Sequence, residues 1–258
     1  MASNDLPHDE RPPRTVIVPL DGSAYAASAL PYGQRLARRF GARVQTVTVG
    51  DPSETVAEVR LAGDPVEALL AHLAAADRAV VCMASHGHGG LRRRLLGSVA
   101  EALVRKSPHP VIVHGPEASN AGPPRSILAG LAWSPHLDQM VDTLSSWAPR
   151  LDAGIELAHV RFPSAAELYV ARASGHTPPD QPDIGLIAER LTIGGARTSA
   201  HLLAGDDPVT SLLGLARRLP APVLLAVATH QADERAHDDI AYRLIRRAPW
   251  PVLATCGS

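Results

Sequence analysis

Ala79-Val80-Val81-Cys82-Met83-Ala84-Ser85-His86-Gly87-His88-Gly89-Gly90-Leu91-Arg92-Arg93-Arg94-Leu95-Leu96-Gly97-Ser98-Val99 is the stretch that decides the fold of this chain. Residues 79–84 are uniformly apolar over a strand's length, the pattern of a strand buried on both faces. A glycine-rich loop follows, and from about Val99 to Lys106 the pattern turns helical. A loop that leaves a strand end and enters a helix N-terminus is where an open parallel sheet holds phosphate groups. Glycines let the backbone approach an anion and aim N–H groups at it. Gly97 reads as a tight turn, and Ser98 offers a hydroxyl and the first unpaired amides of the helix.

The neighbouring residues extend the same alternation. Thr15 to Leu20 is a β-branched run closed by Asp21-Gly22-Ser23, and Ser23 is a suitable N-cap. Ala26, Ala29, Leu30, Gly33, Leu36, Ala37 and Phe40 then recur at helical spacing, with Pro31 as a kink or a start and Gly41 as a stop. Val44 to Val49 is a second strand, about Ala57 to Leu61 a third, Val66 to Ala75 a helix, and Val111 to His114 a fifth strand. Strands alternating with helices imply a parallel sheet with right-handed crossovers. Between the second and third strands only about seven residues remain, short of the ~12 that a helical crossover needs.

The second half repeats the first. Leu61-Ala62-Gly63-Asp64-Pro65-Val66 returns as Leu203-Ala204-Gly205-Asp206-Asp207-Pro208-Val209. Met83-Ala84-Ser85-His86 returns as Val227-Ala228-Thr229-His230, and Leu103 to Val111 returns as Leu244 to Val252. These matches predict a polar lead-in over 1–13, which reads as disordered, a domain over 14–115, a linker over 116–125 and a second domain over 126–258. The second copy also has a helical pattern in Ile184 to Leu191, in the crossover that is too short in the first.

Bulk properties bound the function. Net charge is −1 and aromatic residues make up 3%, so neither a global field nor a base-stacking surface favours nucleic acid. No apolar run approaches the ~20 residues of a membrane span. The two cysteines, Cys82 and Cys256, are too few for a disulfide framework, and a reduced cytoplasm fits them. The loop lacks the Gly-Lys-Ser/Thr of the lysine-bearing phosphate loop, and its glycines do not follow the dinucleotide spacing.

The loop resembles the nucleotide-binding stretch of the universal stress proteins, written G-x2-G-x9-G-[ST], and Val18-Pro19-Leu20-Asp21-Gly22-Ser23 resembles their first strand and acidic turn. The resemblance covers about 14–115 and, more weakly, 125–256. It implies an α/β fold of two tandem domains, each an open five-stranded parallel sheet flanked by helices. It also implies dimeric association, either between the two halves as an internal pseudo-dimer or between chains as a homodimer. For function it implies ATP, with or without magnesium, or another adenine nucleotide, held by Pro19, Asp21, Val49, Met83, Ala84, Gly87, Gly97, Ser98 and Val99. Asp21 would face the ribose, Val49 would border the adenine, and Met83 and Ala84 would line the nucleoside. Gly87, Gly97, Ser98 and Val99 would hold the phosphates. Ala84 stands where the motif has its first glycine.

The second copy lacks this chemistry. Ala132, beside Trp133, replaces Asp21, Gln231 replaces Gly87, and Asp238 and Asp239 fall at Gly97 and Ser98. Paired carboxylates there would repel phosphate. Other readings of the first copy are weaker. His86 and His88, with His109 or His114, fall short of a zinc site's four placed ligands. Arg92, Arg93 and Arg94 read as a solvated charge run before they read as a phosphate clamp. Asp21 has no paired acid or nucleophile beside it, so no catalytic residue is assigned. The alternatives to a nucleotide-binding stress or signalling module are a nucleotide-free interaction protein of the same fold and an ATP-using enzyme.

Overall fold

A computed structural model of the chain describes residues 12–50, 56–86, 96–119, 122–132, 137–161, 182–229 and 240–255. Among these residues the strands are β1 (Thr15–Pro19), β2 (Arg43–Val49), β3 (Val59–Leu61), β4 (Ala79–Ala84), β5 (Val111–His114), β6 (Ser126–Gly130), β7 (Gly154–Arg161), β8 (Thr198–Ala204), β9 (Val223–Ala228) and β10 (Val252–Thr255). They form one sheet in the order β3-β2-β1-β4-β5-β10-β9-β6-β7-β8. Pairing is parallel within β1–β5 and within β6–β10. The expected α/β class with two like five-stranded units therefore holds. The two units are continuous: β5 and β10 pair antiparallel, with Val113 opposite Val252 and Val111 opposite Ala254. Two apolar strands that would each be an exposed edge thus cover each other.

The buried runs explain the strands. Thr15 to Val18 are all buried, because helices cover both faces of the sheet. The helices are α1 (Ala24–Ala27), α2 (Leu30–Phe40), α3 (Pro65–Ala74), α4 (Ser98–Lys106), α5 (Leu137–Leu151), α6 (Ile184–Ile193), α7 (Pro208–Ala216) and α8 (Ile240–Arg247). Pro31 marks the first turn of α2, where its missing N–H costs nothing, and Gly41 closes that helix at a φ of 67°. Ile17, Val81, Met83 and Leu103 share one core with Leu213, Leu225 and Leu244. Val16, Tyr32, Leu36 and Cys82 share the other with Met140, Leu144 and Trp147. Each core thus runs through both halves. β7 runs through His159 to Arg161. α6 fills the crossover from β7 to β8, and the described residues between β2 and β3 carry no helix.

Side chains lock the seam on both faces. On one face the Phe40 and Trp147 rings lie 4.9 Å apart. On the other, Arg105 Nε donates to the Tyr242 hydroxyl at 3.0 Å, and Thr229 Oγ1 donates to the Val104 carbonyl at 3.2 Å. Gly115 packs so tightly on α8 that an added Cβ would lie 1.7 Å from the Ile245 carbonyl oxygen. Pro13 is buried and the Arg14 N–H bonds the Arg78 carbonyl at 2.7 Å, so packing begins at the last residues of the expected lead-in.

Candidate functional site

The strand order places a crevice between β1 and β4. The chain leaves β1 through α1 and α2 on one face and leaves β4 through α4 on the other, so the C-terminal strand ends part there, as ligand crevices of open α/β sheets require. Pro19 and Asp21 stand at the end of β1, and Met83 and Ala84 end β4. Gly97, Ser98 and Val99 begin α4. Val49, Met83 and Val99 pack on one core, and strand alternation puts Pro19 beside Ile17 on that face. Ala84 has the opposite parity and is 4% exposed, so its methyl group is accommodated on the α1 side of the sheet. Gly87 and the stretch through Leu95, with His88 and Arg92 to Arg94, lie outside the described residues.

Asp21 is exposed and ordered by its own turn. Its Oδ1 accepts from the Ser23 N–H at 3.0 Å and from the Ser23 hydroxyl at 2.7 Å. Ser23 Oγ in turn accepts from the Ala26 N–H at 3.0 Å and caps α1, while Gly22 takes a φ of 85°. The carboxylate therefore stands fixed at the mouth of the crevice.

Gly97 has ordinary extended angles, φ −65° and ψ 149°. The reading of Gly97 as a turn residue is corrected by its surroundings. Its N–H donates to the Ser85 carbonyl at 2.8 Å, and an added Cβ would lie 3.2 Å from that oxygen and 3.6 Å from His86 Cα. Gly97 is therefore a point of close backbone approach, where a side chain would press on Ser85. Because Gly97 has no side chain, α4 starts without a side-chain cap, whereas Asp64, Asp183 and Asp207 cap α3, α6 and α7. Among the described residues nothing accepts from the Ser98 and Val99 amides, which lie at the positive end of the helix.

Beneath the loop lies a support that no sequence pattern announced. Ser85 is fully buried. Its N–H donates to the His114 carbonyl at 2.8 Å, and its hydroxyl lies 3.1 Å from the Tyr25 hydroxyl and 2.8 Å from His86 Nδ1. Tyr25 also donates to the His114 carbonyl at 3.4 Å. That carbonyl can only accept, so a consistent assignment has Ser85 donating to Tyr25 and His86 Nδ1–H donating to Ser85. His86 Nε2 is then a bare acceptor, and burial lowers the pKa of His86, which keeps the ring neutral. Burial also raises the Tyr25 pKa.

His114 is buried against Tyr32, with ring centroids 4.6 Å apart, and burial followed by the nearby Arg35 charge pushes its pKa down to about 4. Burial pushes the Cys82 thiol up to about 12, which makes it an inert core group. His109, weighed with His86 as a metal ligand, stands at the other end of the sheet on the Leu73 and Ala76 carbonyls. Among the described residues no three His, Cys, Asp or Glu side chains are grouped for a metal, and no helix is long and apolar enough to cross a membrane.

The second half has the same backbone frame with other groups on it. Leu131 N–H to Ala158 O at 2.8 Å repeats Leu20 N–H to Val47 O at 2.8 Å, which places exposed Ala132 at the position of Asp21. Thr229 N–H to Thr255 O at 2.9 Å repeats the Ser85–His114 bond, with Thr255 in place of His114. Trp133, Gln231, Asp238 and Asp239 lie outside the described residues. Asp207 is drawn into the α7–α8 contact, where the Thr210 hydroxyl and Arg243 hold its carboxyl well below the usual range.

Known proteins resemble this chain in sequence over one segment and in fold over nearly its whole length. The model of the universal stress protein family matches residues 53–114. No curated protein matches the chain significantly. Among solved structures, a universal stress protein from Archaeoglobus fulgidus DSM 4304 is 16% identical, covers 95% of this chain and 98% of its own, and superposes with a TM-score of 0.68. A functionally unknown protein from Pseudomonas aeruginosa PAO1 is 14% identical, with coverage of 97% and 95% and a TM-score of 0.66. The chain is thus built on the universal stress protein fold, with that family's sequence pattern in residues 53–114.

Proposed function

We propose that the first half binds one adenine nucleotide, ATP with or without magnesium, in the crevice between β1 and β4. The chain then acts in the cytoplasm as a stress or signalling module without vigorous catalysis. The observation that carries this reading is the start of α4, where Gly97 leaves Ser98 and Val99 amides uncapped beside a strand-end crevice. A helix start of this kind, facing an apolar wall of Pro19, Val49, Met83 and Val99, suits a phosphate-bearing ligand with an apolar base. Asp21 would take the ribose hydroxyls, Ala84 would border the nucleoside, and Gly87 would complete the phosphate loop. Weak catalysis follows from the same groups: Ser85 is buried, His86 is neutral, and the Asp21 carboxylate is engaged by Ser23. The second half, taken as 126–258 after a 116–125 linker, would serve 14–115 as an internal pseudo-dimer partner through β5 and β10.

The test is to denature freshly purified chain and identify any released nucleotide by mass spectrometry. Released ATP or another adenine nucleotide supports the reading. No nucleotide, together with no uptake of added Mg-ATP, would favour the nucleotide-free interaction protein. Rapid steady-state phosphate release, abolished by Asp21→Asn, would favour the enzyme.

A further inference from the structure

Hydrogen bonds tie the two sides of the crevice together, and one side chain closes the link. On the β1 side, Asp21 Oδ1 accepts from the Ser23 N–H and hydroxyl, and Ser23 Oγ accepts from the Ala26 N–H to cap α1. On the β4 side, the Ser85 carbonyl accepts from the Gly97 N–H at 2.8 Å and so sets where α4 begins. Tyr25, carried by α1, reaches from the first side to the second. Its hydroxyl lies 3.1 Å from the Ser85 hydroxyl and donates to the His114 carbonyl at 3.4 Å. Its ring also meets the His86 ring edge-on, with centroids 6.1 Å apart.

The helix that carries Tyr25 has little else to hold it. α1 spans four residues, too few for its own hydrogen bonds to stabilise it, and Ala26 is its one buried residue. The turn that presents Asp21 leads directly into this helix, so the position of α1 sets the position of the carboxylate. The second half, with Ala132 in place of Asp21, sends the Thr229 hydroxyl to the Val104 and Thr255 carbonyls instead.

We propose that Tyr25 is a positioning residue for the nucleotide. It clasps α1 to the end of β4 and so fixes the spacing between the Asp21 carboxylate on the ribose side and the Ser98 and Val99 amides on the phosphate side. The inference rests on the crevice taking a nucleotide, and it specifies which ligands feel the clasp. A ligand that spans both sides gains from fixed spacing, because the two sides are already in register when it arrives. A ligand that touches one side gains nothing from it.

The experiment compares the full chain with its Tyr25→Phe variant, which keeps the ring and loses the hydroxyl. Calorimetry should show the affinity for Mg-ATP falling about tenfold. Adenosine and tripolyphosphate, each touching one side and measured as competitors of ATP, should change by less than about twofold. Hydrogen exchange of the nucleotide-free chains gives a reading that needs no ligand. The Gly97 amide should exchange about tenfold faster in the variant, while the β2 amides keep their rates. Equal losses for ATP and its fragments, an undiminished ATP affinity, or unaltered Gly97 protection would each overturn the proposal. Failure of the natural chain to bind Mg-ATP would instead overturn the nucleotide reading, and the exchange rates would still decide whether Tyr25 holds the crevice together.

Discussion

The two halves share a strand order and a hydrogen-bonding frame, yet they carry different groups at the strand ends. Leu20–Val47 and Leu131–Ala158 make the same bond, but Asp21 follows in the first case and Ala132 in the second. Ser85 is supported by Tyr25 and His86, whereas Thr229 turns its hydroxyl to Val104 in the other half. The frame is written in many buried apolar positions, each of which tolerates a similar replacement. A binding crevice depends on a few residues of fixed chemistry, and it can be lost while the core survives. What the second half has kept is its part in the seam.

The largest effect is expected where the halves touch. Gly115→Val would place a side chain within the Ile245 carbonyl, so the seam cannot close and soluble folded chain should be lost, a destabilisation above ~4 kcal/mol. Urea unfolding or the yield of soluble protein measures this. Normal stability of that variant would mean that the halves are not obligate partners.

Gly97→Val should leave the fold in place and weaken nucleotide binding at least about a hundredfold, because the side chain meets the Ser85 carbonyl and displaces the start of α4. Ala132→Asp in the second half should leave the stoichiometry of binding unchanged, since one carboxylate does not rebuild a crevice. Titration of both variants with Mg-ATP sharpens the contrast between the halves.

His114→Thr installs the residue that the second half carries as Thr255. In the folded chain His114 has a pKa of about 4, below its ordinary 6.5, so the unfolded chain binds the proton more readily. Stability from this neutral, buried ring is complete above pH 6.5 and is lost as pH falls towards 4, on the order of 3 kcal/mol in all. Urea midpoints at pH 7 and pH 5 should differ more for the natural chain than for the variant. Equal pH dependence would show that His114 is not what makes the first half acid-sensitive.

Tyr242→Phe is the mildest change. It removes the hydroxyl that links Arg105 and the Glu101 carbonyl across the seam, and should cost about 1 kcal/mol in urea unfolding. No loss would place the seam's strength in its apolar packing alone.

Much of the frame was legible in the sequence because buried parallel strands are written as unbroken apolar runs, such as Val16 to Val18 and Val80 to Met83. The crossover helices showed themselves by the spacing of Leu36, Ala37 and Phe40 or of Leu69 and Leu73. The crevice was legible only in outline. Gly97 pointed to the helix start, but its true constraint is a backbone contact with Ser85, which is remote in the local pattern. Tyr25 sits in an unremarkable helical position, and its bond to Ser85 depends on tertiary proximity over 60 residues. A groove at the seam, with Arg78 on one wall and Gln139 on the other, could not be foreseen, because its walls come from different halves.

The central claim is that one crevice, in the first half alone, takes an adenine nucleotide. Calorimetric titration of nucleotide-free full-length chain with Mg-ATP tests it most directly. The account predicts a stoichiometry near one per chain, with binding lost in Gly97→Val and retained in Ala132→Asp. Two equivalent sites per chain, or no heat of binding at any practical concentration, would contradict it.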